Sequence, residues 1–234
     1  MSKSDYARQK LSLVNERIAL ACDKSGRDRS SITLIGASKK QTPALIESFV
    51  NAGLGDLGEN YLQEAIAKQA TINPDIKSNS IKWHFIGQIQ SNKTNAIAQH
   101  FNWVHGVDRI KIAKRLGNQH QHSAPINLLI QLNPDQEGSK GGVLLEKAAE
   151  TADQIAGLDG VKLQGFMMIP KARETFDDQC QVFATAKATL DQTNQRYGLQ
   201  LKHLSMGMSG DLEAAIHQGS TMVRIGTDLF GARD

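Results

Sequence analysis

Ile126-Asn-Leu-Leu-Ile-Gln-Leu132, then an apolar stripe at Leu144, Leu145, Ala148, Ala152 and Ile155, then Lys162 to Ile169, is the stretch that decides the fold. The first run is short and mostly apolar, interrupted by Asn127 and Gln131, and is the most continuous strand signal in the chain. The stripe recurs at helical spacing, and the third run is again strand-like. Strand, helix, strand in that order implies parallel pairing with the helix laid outside the sheet.

The same unit repeats in both directions. Upstream, Leu11, Val14, Ile18 and Cys22 mark an opening helix, followed by a β-rich run from Ile32 to Ser38. A helical stripe at Leu45, Ile46, Phe49 and Val50 stops at Gly53, and a brief strand follows from Asp56 to Glu59. A helix through Leu62, Ala65 and Ile66 leads to a strand from Trp83 to Gly87. A helix with Ile97 and Phe101 leads to a strand from Trp103 to Val107, and a helix with Ile110, Ala113 and Leu116 leads back to the opening stretch. Downstream, Phe176, Cys180, Phe183 and Leu190 form a helix, and His203 to Met208 a strand. A helix through Leu212, Ala215 and Ile216 precedes the last strand, Met222 to Ile225. Eight strand-like segments in alternation with helices predict an α/β chain folded as a single (β/α)8 barrel of TIM type, with an extra N-terminal helix. One domain over residues 1–234 accommodates it, and a doubly wound open sheet is the structural alternative.

Composition is that of an ordinary globular protein: 40% hydrophobic and 22% charged residues exclude disorder and coiled coil as the main state. A net charge of +3 on scattered basic residues gives no footprint for nucleic acid. No apolar run approaches membrane-spanning length, and the first ten residues lack the apolar core of a signal peptide. A cytoplasmic location is expected. Cys22 and Cys180 make no disulfide framework and read as reduced core thiols.

Some motifs carry less than they spell. Gly53-Leu-Gly55-Asp-Leu-Gly58 matches G-x-G-x-x-G, but it follows a helix and enters a strand, the reverse of a dinucleotide site. Gly138 to Gly142 is glycine-rich without P-loop spacing. His120-Gln-His122 has no third ligand nearby, and no metal site is expected.

Position in the barrel gives other residues weight. Ser38-Lys39 ends the first strand, where barrels of this type place active-site groups. A lysine partly withdrawn from water there becomes nucleophilic toward carbonyls. Lys40 is adjacent, and strand alternation is expected to send it outward. The loops after strands seven and eight, His203-Leu-Ser-Met-Gly-Met-Ser-Gly-Asp211 and Val223-Arg-Ile-Gly-Thr-Asp-Leu-Phe-Gly231, are where such barrels hold phosphate. Gly226 admits close backbone approach, while Ser205 and Thr227 offer hydroxyls. A reactive lysine paired with a phosphate cradle suggests a phosphorylated carbonyl compound held covalently.

These residues resemble the YggS/PROSC family of pyridoxal phosphate homeostasis proteins, relatives of the N-terminal barrel of alanine racemase. The matching motifs are Ser38-Lys39, Gly58-Glu-Asn-Tyr61 with Gln63-Glu64, Trp83-His-Phe-Ile-Gly87 with Gln90 and Asn92-Lys93, and Ser139-Lys140. They continue through Gly165-Phe-Met-Met-Ile-Pro170, Leu204 to Ser209, Gly219 to Thr227 and Phe230-Gly-Ala-Arg233. The resemblance implies that Lys39 binds pyridoxal 5′-phosphate as a Schiff base, with Asn60 beside the ring and Arg224 facing the pyridine nitrogen. It implies that Ser205, Gly226 and Thr227 hold the phosphate, with Ser209 as a weaker candidate. His84 receives no contact. The sequence departs from the family pattern at Lys40 to Pro43, at His105-Gly106 and at Gly210, none of which is a proposed covalent or phosphate position.

The resemblance also separates a binder from an enzyme. Racemisation needs a base on each face of the cofactor, and alanine racemase draws its second base, a tyrosine, from another domain across a dimer. Phe230 to Arg233 is expected to close the barrel here, leaving no such domain and a monomer. An arginine at the pyridine nitrogen weakens the electron sink. The expected function is therefore to hold pyridoxal phosphate in vitamin B6 homeostasis and deliver it to apo-enzymes, without efficient catalysis. The alternatives are a weak racemase or aldolase of the same cofactor class, and a sugar-phosphate enzyme using a lysine Schiff base.

Overall fold

The computed structural model describes residues 2–73, 81–136 and 141–231. Its eight strands are β1 (Thr33–Ala37), β2 (Asp56–Glu59), β3 (Lys82–Phe85), β4 (Trp103–Val107), β5 (Ile126–Leu132), β6 (Val161–Met168), β7 (His203–Ser205) and β8 (Met222–Ile225). Each pairs in parallel with the next, and β8 returns to β1 through the register Thr33↔Met222 to Gly36↔Ile225, closing the barrel. Closure excludes the doubly wound alternative.

Helix α1 (Lys3–Lys24) precedes the barrel. The connecting helices are α2 (Pro43–Asn51), α3 (Leu62–Thr71), α4 (Thr94–His100), α5 (Ile110–Gln119), α6 (Leu145–Ala156), α7 (Phe176–Tyr197) and α8 (Leu212–His217). A short α9 (Thr227–Phe230) follows β8. Local chemistry starts the longer helices. The Ser2 hydroxyl accepts from the Asp5 N–H at 3.1 Å, and the Thr175 hydroxyl accepts from the Asp178 N–H at 3.1 Å. Thr42 caps α2 ahead of Pro43, which fits the first helical turn because its missing N–H would be unpaired there anyway. The buried face of α1 (Ala7, Leu11, Val14, Ile18, Ala21 and Cys22) packs against α2, α8 and α9, so the extra helix covers the β8–β1 side. No described helix is long and apolar enough to cross a membrane.

Strand alternation divides the interior in two. Outward residues such as Leu34, Leu57, Val104, Leu128, Ile130, Phe166 and Val223 join the helices in one large apolar core. Inward residues Ile35, Leu129, Met167 and Met222 form a small apolar cluster inside the barrel, touched by Trp103. The remaining inward positions include buried His84, His105, Ser205 and Arg224.

Two readings shift in detail. Strand β7 covers only His203 to Ser205; Met206 and Gly207 still bond to the β8 backbone, and the chain turns at Gly207 with φ 96°. Cys22 is buried as expected, but Cys180 is half-buried on α7 and rests against the core from outside. As expected, the Gly53 to Gly58 stretch is a helix stop, with Gly53 at φ 110° between α2 and β2. Ser139-Lys140, most of the Gly138 to Gly142 loop, and Ala232 to Asp234 lie outside the described residues.

Candidate functional site

Strand ends converge on a cavity of about 330 Å³ at the C-terminal mouth of the barrel. Lys39 reaches it from β1, Asn60 from β2, Arg224 from β8, and Ser209, Gly226 and Thr227 from the loops after β7 and β8. Ala37, Ile86, Ile169, Met208 and Gly210 complete the wall. Six of the seven expected site residues are thus brought together. Ser205 is the exception. It is fully buried and absent from the lining; its hydroxyl accepts from Arg224 Nη1 at 2.6 Å and meets His105 Nδ1 at 2.9 Å.

Lys39 is half-buried and Lys40 is exposed, but strand alternation is not the reason. The chain turns after Ser38, and Lys40 adopts φ 63°, a conformation costly for a residue with a side chain. A buried polar network holds this turn. Lys68 Nζ donates to the Ser38 carbonyl at 2.6 Å, to Glu59 Oε1 at 2.7 Å and to Glu64 Oε1 at 2.6 Å. The Ser38 hydroxyl donates to Glu59 Oε1 at 2.7 Å, and the Lys40 N–H donates to Glu64 Oε1. Burial pushes the Glu59 carboxyl up, against the hydrogen bonds from Lys68 and Ser38. Glu59 and Glu64 belong to the Gly58-Glu-Asn-Tyr61 and Gln63-Glu64 motifs, so those carboxylates shape the lysine turn and do not line the cavity. The Glu64/Lys68 spacing of four on a helix was the legible signal for this pair.

Asn60 is held by close backbone packing. A Cβ at Gly87 would lie 2.2 Å from the Asn60 carbonyl oxygen, so only glycine admits this approach. Asn60 Oδ1 is buried and has no hydrogen-bond partner among the described residues.

Arg224 is 4% exposed at the cavity wall. Nη1 donates to the Ser205 carbonyl and hydroxyl, each at 2.6 Å, and Nη2 donates to the Met168 carbonyl at 2.9 Å. Burial lowers its pKa to about 10, against the attraction of Asp211, so the guanidinium remains charged at neutral pH. Its Nε–H and one Nη2–H have no acceptor among the described residues.

Arg17 of α1 ties the two mouth loops together. It donates through Nε to Glu213 Oε1 at 2.9 Å and through Nη2 to the Ser209 carbonyl at 3.0 Å, and Nη1 pairs with Asp228 of α9. The extra helix therefore fixes the spacing between Ser209 and the Gly226-Thr227 turn. Nothing in the local sequence around Arg17 signalled this. The His120 and His122 rings only bond nearby carbonyls, and no metal-binding cluster occurs among the described residues.

The chain matches the alanine racemase N-terminal domain over residues 42–234, which defines the class of barrel. It is 44% identical over 227 residues to the pyridoxal phosphate homeostasis protein of Pseudomonas aeruginosa, covering 97% of this chain and 95% of that protein. It is 40% identical over 225 residues to the protein of the same name from Escherichia coli K12, covering 96% and 95%. The chain belongs to the family of pyridoxal phosphate homeostasis proteins. PipY of Synechococcus elongatus, solved with PLP bound, superposes with a TM-score of 0.81 at 30% identity, covering 96% of this chain and 100% of that one. Alanine racemase from Corynebacterium glutamicum shares the fold alone, with a TM-score of 0.68 at 15% identity over 98% of this chain and 61% of its own.

Proposed function

We propose that this barrel, as one domain, binds pyridoxal 5′-phosphate covalently through Lys39 and holds it for transfer to apo-enzymes, without turning over a substrate efficiently. Arg224 carries the reading. A buried, charged guanidinium with two uncommitted N–H groups lines the cavity, and no carboxylate hydrogen-bonds to it among the described residues.

The donor set fits the group. Lys39 supplies an amine for an aldehyde, and Asn60 brings a buried polar atom that lacks a partner among the described residues. Ser209, Gly226 and Thr227 sit where the β7 and β8 loops meet, with Gly226 capping α9. The bound cofactor supplies an aldehyde that condenses with an amine and a pyridine ring that serves as an electron sink when protonated. Arg224 donates hydrogen bonds and disfavours that protonation. Ser205 serves this arrangement from below by holding Nη1.

The test is absorbance of the cofactor-loaded protein before and after borohydride, followed by peptide mass mapping. The expected label is on Lys39. A label on Lys40, or none, overturns the covalent assignment. Amino-acid turnover at enzyme-like rates, abolished by Lys39→Ala, would overturn the carrier role.

A further inference from the structure

A continuous line of buried side chains crosses the barrel interior beneath the cavity, and the cavity residues do not account for it. Asp56, the first residue of β2, accepts through Oδ1 from His84 Nε2 at 2.8 Å. His84 Nδ1 meets His105 Nε2 at 3.0 Å, and His105 Nδ1 meets the Ser205 hydroxyl at 2.9 Å. That hydroxyl accepts from Arg224 Nη1 at 2.6 Å. His84, His105 and Ser205 are fully buried, and the Asp56 side chain is 20% exposed toward the opposite end of the barrel. Trp103 stacks on the His84 ring with centroids 5.8 Å apart, which fixes its plane.

The two ends, together with the buried Ser205 proton, select one order of protons. Arg224 can only donate, and an ionised Asp56 can only accept. The Ser205 hydroxyl accepts from Arg224, and among the described residues His105 Nδ1 is the one acceptor within reach of its own proton, which therefore goes there. His105 must then carry its proton on Nε2 and give it to His84 Nδ1. His84 must carry its proton on Nε2 and give it to Asp56. A doubly protonated His84 would reverse the two inner bonds and still make every contact, but it would leave the Ser205 proton without an acceptor among the described residues, so two neutral imidazoles are the arrangement that satisfies every group. Burial lowers both rings: His84 against the pull of Asp56 and with Lys82 adding to the effect, His105 with His84, Arg224 and His203 adding to it. A second proton on His105 would sit at Nδ1, facing a hydroxyl that then has no acceptor for its own.

We propose that Asp56, His84 and His105 are positioning residues that act through Ser205 to orient Arg224 and sustain its donation toward the cofactor ring. The inference rests on the cofactor reading above. Hydrogen-bonded chains with a fixed proton order polarise link by link, so a change near Arg224 should act more strongly than one at the far end.

Two measurements test it. Ring ¹⁵N NMR of the wild-type protein without cofactor should show His84 and His105 as neutral Nε2–H tautomers at pH 7. A proton on Nδ1 of His105, or a charged ring, overturns the proposal whatever any variant does. Titration with pyridoxal phosphate then compares His105→Phe, Asp56→Ala and Asp56→Asn with wild type. His105→Phe should shift the bound-cofactor absorption band and weaken uptake about fivefold, the worth of one network hydrogen bond. Asp56→Ala should move both in the same direction by less. Asp56→Asn keeps an acceptor and should restore most of the difference. Wild-type protein that takes up no cofactor overturns the cofactor reading and the inference with it. Normal uptake by wild type, with band and affinity unchanged in folded His105→Phe, overturns the inference alone.

Discussion

Replacing Lys68 with methionine probes the turn that presents Lys39. The Lys68 side chain is 5% exposed, and its ammonium pairs with Glu59, whose side chain is fully buried. Methionine keeps most of the length and removes the charge. Breaking a buried pair by deleting one partner costs about 3–5 kcal/mol, mainly through the uncompensated charge left behind. Glu64 is partly exposed and contributes little, and the Ser38 hydroxyl still donates to Glu59, so the lower end, about 3 kcal/mol, applies. In a domain of this size that corresponds to a drop in Tm of roughly 6–12 °C.

The loss should depend on pH. Burial already raises the Glu59 carboxyl above its ordinary 4.5, and the Lys68 hydrogen bond opposes this. Without Lys68 the folded-state pKa rises further. A group whose pKa is higher folded than unfolded contributes stability below its unfolded value and loses it as pH rises through the folded one. The deficit of Lys68→Met should therefore be small near pH 4.5 and largest at pH 8. Adding Glu59→Gln removes the stranded charge and should recover much of the stability at pH 8. Thermal melts followed by circular dichroism at the two pH values, on both variants, read these outcomes. A Tm at pH 8 within about 1 °C of wild type, or a deficit growing toward acid, refutes the reasoning.

Lys39→Ala should abolish the cofactor absorbance while leaving Tm nearly unchanged, because the side chain is half-buried at the mouth and adds little to the core; absorbance and a melt check both halves. Arg17→Ala releases Ser209 and α9 from each other, so pyridoxal phosphate affinity should fall several-fold while pyridoxal, which lacks the phosphate, is affected little; paired titrations decide. Gly87→Ala places a Cβ 2.2 Å from the Asn60 carbonyl, backbone that cannot yield locally. It should destabilise by about 3 kcal/mol and weaken cofactor uptake, and a wild-type melt would count against the close approach.

The barrel and its mouth could be read without coordinates. Alternating apolar strands and amphipathic helices encode a parallel sheet with helices outside it, because each element must bury an apolar face; closure, against the doubly wound alternative, was settled by β8 pairing with β1. Lys39, Gly226 and Thr227 were legible from their place at strand ends, where the fold opens; Asn60, Ser209 and Arg224 came only from the family resemblance. Tertiary structure alone decided what lies beneath them. Ser205 reads in sequence as a phosphate hydroxyl; inside the barrel it is a link between Arg224 and His105, a residue 100 positions away. His84 and His105 sit in strands buried on both faces, where hydropathy cannot tell an inward residue from an outward one. Arg17 finds its partners 192 to 211 positions away, at the other end of the chain. Periodicity is local and survives in the sequence. The direction of a buried polar side chain, and the partner that satisfies it, exist only once closure has brought distant strands within hydrogen-bonding reach.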